Sequence, residues 1–218
     1  MTSSPAASDR RPTTDVIGEI TGAYITELQR GYLQDRPAAV AALAQLRRGA
    51  GKVPEDVPEL WGVTGTENLF AEDVELPGHA KDKAEAAHFL AVTLYALHQQ
   101  SRPDKGMHRR HRDAELGAAV RQLMPNGDID EAIRRRFVRV GTATTRDALA
   151  SRLREMISLL RGKSIPLDYA LLAGQLYQAQ LPDGMRKVRQ SWGRSFHAYR
   201  PSAAATAGDA ESPKKDLT

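Results

Sequence analysis

An all-helical fold, built as a two-lobed bundle of roughly eight or nine helices, is what this sequence predicts, and three observations predict it. Alanine, leucine, arginine and glutamine, good helix formers, abound, while aromatic residues make up only 6% of the chain. Almost no stretch alternates apolar and polar residues for more than a few positions, so strands have little to start from. Apolar residues instead recur at helical spacing from one end of the chain to the other. With 218 residues the chain can bury one or two real cores.

The elements follow in order. Residues 1–13 and 201–218 are rich in Ser, Ala, Pro, Thr and Asp, offer nothing to bury, and read as disordered tails. A first helix is expected over Asp15–Leu33. A second is opened by Pro37, whose missing N–H costs nothing in the first turn, and carries Val40, Leu43, Ala44 and Leu46 as its apolar face. Gly49 and Gly51 end it. Leu60 and Trp61 fall in a short Pro-bounded helix, and residues 62–78 read as a long connection with one turn of helix at most. A strong amphipathic helix is expected over Lys81–Gln100, with Ala87, Leu90, Ala91, Leu94 and Leu97 on its buried stripe. These elements form an N-terminal helical lobe, 14–102.

Pro103, Gly106 and the polar run His108–His111 then mark an inter-lobe loop, 103–112, before a C-terminal lobe, 113–200. That lobe begins with a short helix over Asp113–Met124. Asp128 and Glu131 have the spacing of a capping box for the next helix, whose apolar stripe is Ile129, Ile133, Phe137 and Val140. Thr145–Arg161 shows the clearest helical period, in Leu149, Leu153, Met156, Ile157 and Leu160. Pro166 opens a further helix with Leu167, Leu171, Leu172, Leu176 and Tyr177. Pro182–Tyr199 closes the fold with Val188, Trp192 and Phe196 spaced four apart on one face, a core stripe in preference to a base-stacking surface.

Charge is distributed unevenly along this frame. Residues 1–101 carry a formal −5, residues 102–163 carry +7 and residues 164–218 carry +2. A net +4 thus hides a polarised molecule, and a phosphate backbone is the first partner to consider. With about 100° between successive helical residues, Arg135 and Arg139 fall opposite Ile133, with Arg136 and Arg134 beside them. Arg154 and Arg161 share one flank of the following helix, and Arg152 lies near them in sequence. Residues three and four apart on a helix stand roughly 5–6 Å apart, close to the spacing of successive phosphates. Arg47, Arg48 and Lys52, at a helix C-terminus, and Arg109, Arg110 and Arg112, in the loop, extend the path. Arg47 and Arg48 equally suit the negative end of a helix dipole. For Arg134–Arg136 the competing reading is a solvated face paired within the helix.

Recognisable catalytic chemistry is missing. His111-Arg112-Asp113 matches a kinase tripeptide without the Asn, Asp-Phe-Gly or Gly-rich loop that would give it meaning. Gly162-Lys163-Ser164 resembles the end of a phosphate-binding loop, but Ile157 stands where the first Gly belongs and a helix precedes it. The absence of cysteine rules out disulfides and thiolate zinc sites. His108 and His111 read as a phosphate-facing or solvated pair and not as metal ligands. No cofactor and no metal are expected. Glu72, Asp73 and Glu75 form an acidic loop that repels DNA. The N-terminus lacks the apolar core of a signal peptide and no run approaches the roughly 20 apolar residues of a membrane span, so a soluble cytoplasmic protein is expected.

Five segments taken together carry a family resemblance: Gln45-Leu-Arg-Arg-Gly-Ala-Gly-Lys52, Pro58-Glu-Leu-Trp61, Arg134-Arg-Arg-Phe137, Leu153-Arg-Glu-Met-Ile-Ser-Leu-Leu-Arg161 and Val188-Arg-Gln-Ser-Trp-Gly-Arg-Ser-Phe196. In order and spacing, over about residues 14–200, they resemble the small subunit of the type I-E CRISPR Cascade complex, the CasB family. The resemblance implies a non-enzymatic, two-lobed helical protein, present as two copies beside the crRNA-bearing backbone subunits and the large subunit. It implies a role in antiviral defence, holding a single strand of target DNA when an R-loop opens. Arg47–Arg48, Arg134–Arg136 and Arg152–Arg154 match basic stretches of that family. The alternative is a helical scaffold or adaptor whose arginines meet only acidic protein neighbours.

Overall fold

The computed structural model describes residues 11–72, 74–124 and 128–200, and both expected tails lie almost wholly outside them. Among the described residues there are eight α-helices and no strand: α1 Thr13–Leu33, α2 Pro37–Leu46, α3 Lys81–Gln99, α4 Leu116–Gln122, α5 Glu131–Gly141, α6 Arg146–Gly162, α7 Tyr169–Ala179 and α8 Gly184–Ala198. The fold is all-α, as the sequence predicts. Six short 3-10 turns join these helices, five of them in the connection between α2 and α3.

α3 is the central helix, against which α1, α2, α6 and α7 pack. Its apolar stripe predicts one buried face, but every residue from Ala87 to Gln99 is buried. The opposite face can be buried because most of its polar groups find partners inside the protein, His98 Nε2 being the exception. His88 Nε2 donates to the Thr64 carbonyl at 2.8 Å, so the Thr21 hydroxyl donates to Nδ1 at 3.0 Å. Thr93 returns its hydroxyl to the Phe89 carbonyl at 2.9 Å, and His98 Nδ1 meets the Tyr169 hydroxyl at 2.8 Å. A buried polar group with a partner costs little, and one without costs several times more.

α1 lies most extensively against α7, the helices coming close because small residues face each other. A Cβ on Gly18 would stand 2.8 Å from the Ala170 carbonyl oxygen, and one on Gly22 would stand 2.7 Å from the Ala170 Cβ. Helices on both sides of the 103–112 segment share one hydrophobic core, which runs from Ile17 and Ile25 through Leu94 and Tyr95 to Leu153, Leu172 and Trp192. The 103–112 segment itself is held by two glutamines. Gln99 Oε1 accepts from Met107 N at 2.8 Å and its Nε2 donates to Lys105 O, while Gln29 makes both bonds to the His108 backbone.

Several local expectations need correction. The N-cap of α5 is Asp130 and not Asp128: its carboxylate accepts from Ala132 N at 2.8 Å and Ile133 N at 3.0 Å. Glu131 is therefore the first helical residue and is freed to pair with Arg134, so no capping box forms. Ile129 precedes the helix and is exposed, as are Val40 and Leu171. Trp61 follows the turn Pro58–Leu60 and stands 74% exposed. His108 is neither solvated nor paired with His111. It is buried, bridges to Leu167 and accepts from Tyr169 N at 3.2 Å, whereas His111 lies exposed beside Asp113. Burial first, with Arg110 adding to it, lowers the affinity of His108 for a proton.

Candidate nucleic-acid interface

α5 is attached to the molecule by a narrow stripe. Phe137 stacks on Phe196 with ring centroids 5.7 Å apart and reaches Trp192 at 6.4 Å, Val140 is fully buried and Ile133 is half-buried. Trp192 is locked by its indole N–H to Gln175 Oε1 at 2.7 Å, so its core role stands. Apart from the buried Gly141 at its end, the rest of α5 faces out, including Arg134, Arg135, Arg136 and Arg139.

These four arginines are not equivalent. Arg134 is engaged by Glu131 through bonds of 2.9 and 2.8 Å, one turn apart on the helix. The same contact lowers the Glu131 carboxyl below its ordinary range and raises the Arg134 guanidinium, so the pair carries no net charge outward. Arg135 gives only its Nε, to the Glu131 carbonyl at 3.2 Å, which leaves its terminal amino groups outward. Among the described residues, Arg136 and Arg139 make no side-chain bond, so they and Arg135 form the open ridge.

Arg152 does something else. Its Nη1 donates to the Arg139 carbonyl at 2.6 Å, a last-turn acceptor of α5 that otherwise has only the Thr142 hydroxyl at 3.4 Å. It lies on the α5 side of α6, roughly opposite Arg154 and Arg161, so the 152–154 segment divides between two surfaces. Arg189 of α8 also packs over Gly141 at the end of α5. Arg139, Arg152 and Arg189 thus gather where the helix dipole is negative. Spacing alone does not point to Arg189, since it is brought there by the α5–α8 contact.

A second group lies where the turn after α2 meets α6. A 3-10 turn, Arg47–Gly49, follows α2 directly, and Gly51 has φ +82°. The Arg154 stem lies against Gly51, within 2.8 Å of where a Cβ would stand, which places Arg154 beside Lys52. Lys52 and Arg146 line one small cavity with Leu149 and Ala150, and Arg146 has Glu55 at 4.0 Å. Arg146, absent from the sequence reading, is identified only by this packing. Arg47 and Arg48 are exposed, and Arg47 borders a groove with Tyr32, Leu43 and Ser101. Arg161 is half-buried and its carbonyl accepts from Arg102 Nη2 at 2.8 Å.

Arg109 and Arg110 are exposed on the segment that bridges to α7, where Arg109 N donates to the Leu167 carbonyl at 3.2 Å. Arg110 borders a cavity of about 560 Å³ together with Asp15, Glu19 and Asp168. Its field is partly cancelled there, unlike that of the α5 ridge. The twelve candidate residues therefore occupy three places: α5 with Arg152, the α2 turn with α6, and the segment beside α7. Among the described residues no group of three or more His, Asp or Glu is placed to hold a metal, and no helix is long and apolar enough to cross a membrane.

Comparison with known proteins meets this geometry at the level of family. The family model of the CRISPR-associated protein Cse2 matches residues 42–197, which takes in α5, α6 and the whole turn after α2. The crystal structure of CasB from Thermobifida fusca superposes with a TM-score of 0.75 at 50% identity, covering 84% of this chain and 98% of that one. A chain described as part of a CRISPR RNA-guided surveillance complex superposes with a TM-score of 0.60 at 21% identity, covering 83% of this chain and 95% of its own, which shows a shared fold. A search of curated protein sequences gives no match. With the matched segment spanning most of the helices and half the residues shared with CasB, the chain belongs to the Cse2 (CasB) family of CRISPR-associated proteins.

Proposed function

We propose that this chain is a non-catalytic subunit of a type I-E CRISPR Cascade surveillance complex, where it binds the DNA target and stabilises the R-loop. Its partners would be the crRNA-bearing backbone subunits, the large subunit and a second copy of itself, in the cytoplasm. Family membership supports the assembly role. The observation that supports DNA holding is the open ridge of Arg135, Arg136 and Arg139, on a helix whose position is fixed by Phe137 and Val140.

The physical basis is a near-balance. Replacing a DNA duplex by a guide RNA–DNA heteroduplex changes the free energy little, so a few backbone contacts tip the outcome. Guanidiniums on a fixed helix meet phosphates without reading bases, and each contact releases counterions. Arg134 is already neutralised and Arg152 is occupied with the Arg139 carbonyl, which leaves Arg135, Arg136 and Arg139 as the main contacts. Lys52 and Arg154 form a second contact point.

Strand opening of a duplex target by the reconstituted guide-RNA complex, with and without this chain and at two salt concentrations, tests the proposal. Stable opening should need the chain, and the paired change Arg135→Glu and Arg139→Glu should weaken it more at low salt than at high salt. Opening that is unchanged by omission of the chain leaves a scaffold role instead.

A further inference from the structure

The connection between α2 and α3 is a strap of opposite character to α5. Residues 53–80 contain seven carboxylate side chains and no lysine or arginine. The strap is nevertheless held firmly. Val57 and Leu60 pack on Phe89, Leu69 enters the main core, and Ala80 is fully buried. Between these anchors the Val63 carbonyl accepts from the Tyr24 hydroxyl at 2.8 Å and the Thr64 carbonyl from His88 at 2.8 Å.

Trp61 sits between the anchored Leu60 and Val63 and faces outward, 74% exposed, whereas the chain's other tryptophan is 2% exposed. A tryptophan presented from an immobilised backbone loses little conformational freedom on binding, and such residues dominate protein interfaces. The strap already shows what suits its aromatic rings. Phe70 carries the Lys81 ammonium over its face at 5.8 Å, beside a groove of about 330 Å³ lined by Leu69, Val74, Glu75 and Leu76. Trp61 is the stronger cation–π acceptor of the two and, among the described residues, has no cation over it.

We infer that the strap centred on Trp61 is a protein-docking surface for an arginine- or lysine-bearing segment of a different subunit. The partner's cation sits over the indole, and the strap's carboxylates supply the complementary field. A polyanion is disfavoured on the same ground, since seven carboxylates repel phosphates. The inference rests on the chain's assembly into a multi-subunit complex, but not on α5 holding DNA.

The test places the photo-crosslinking residue p-benzoylphenylalanine at position 61 in the full chain, assembled into the reconstituted guide-RNA complex. Irradiation should join position 61 to a peptide of another protein subunit that carries Arg or Lys. In parallel, Trp61→Ala and Glu59→Lys should each lower retention of the chain in the complex, by about tenfold for the tryptophan. The thermal midpoint should hold in both, because the side chains are exposed. An adduct to DNA, to guide RNA or to a second copy of this chain overturns the inference, as does no adduct or undiminished retention of Trp61→Ala. Retention with intact strand opening in that variant sinks docking alone. Loss of opening in the Arg135→Glu, Arg139→Glu chain with the protein adduct preserved separates the two surfaces in the other direction, and a wild-type chain that never enters the complex removes both.

Discussion

α3 and α5 are both regular helices, yet they divide the labour of the molecule between them. From Ala87 onward α3 is buried on every side and spends its polar side chains on internal bonds: His88 on Thr21 and Thr64, His98 on Tyr169, Gln99 on the 102–107 backbone. α5 touches the core through Ile133, Phe137 and Val140 and turns its arginines to solvent. The difference teaches that polarity in a helix means opposite things according to what surrounds it. A polar group inside the bundle is committed to the fold, and one outside is available to a partner.

The largest effect that can break this comparison comes from α3. Leu94→Ala should cost about 2–5 kcal/mol of unfolding free energy, because Leu94 is fully buried and its surroundings relax only in part around the space it leaves. Urea denaturation gives the figure, and a loss as small as that of a surface change would show that α3 is not the central helix. pH comes next. Burial lowers the proton affinity of His88 and His108, and brings His98 to about 3, with the Arg161 and Arg102 guanidiniums adding to burial there. Each is neutral when folded and protonates more easily when unfolded. Their contribution is complete above the unfolded value of about 6.5 and is lost as pH falls below it, at about 1.4 kcal/mol per pH unit for each histidine, down to the folded value. Denaturation midpoints should decline steadily on acidification; a flat profile from about pH 7.5 to 5 contradicts neutral burial.

Arg152→Ala should cost about 0.5–1.5 kcal/mol through the lost bond to the Arg139 carbonyl. That loss would class Arg152 with the framework although its sequence neighbour Arg154 lies on the other flank. The smallest effects sharpen the α5 side. Arg136→Ala should leave the denaturation midpoint unchanged but reduce the salt slope of single-strand binding by about 0.7. Glu131→Gln, which releases Arg134, should steepen that slope by a similar amount. An unchanged slope in both variants would take α5 out of the interface.

The helices were legible because their signals are local. Thr145 caps α6 through Ala148 N at 3.1 Å, Pro37 opens α2, and the stripe Leu153, Met156, Ile157 and Leu160 is buried as its period requires. The exposure of the α5 arginines was legible too, as the complement of a buried stripe. What could not be read were choices between equivalent local options. Asp128 and Asp130 are both competent caps, and the folded chain seats the second against the first amides of α5. His108 looks like its polar neighbours until the bridge to Leu167 draws it inside.

By itself, then, the sequence determined an all-helical chain, the bounds of most helices and the polarised distribution of charge, since propensity, periodicity and net charge depend on residues within a few turns of one another. Tertiary structure decided which of the arginines other than Arg134 are free. Arg152 is taken by the end of another helix and Arg154 is laid over Gly51 beside Lys52, while the pairing of Arg134 with Glu131 is a contact local to α5; the same packing leaves Trp61 outside, between anchors on both sides of it. The physical reason is that a side chain's availability is set by the groups packed around it, most of which lie far away along the chain.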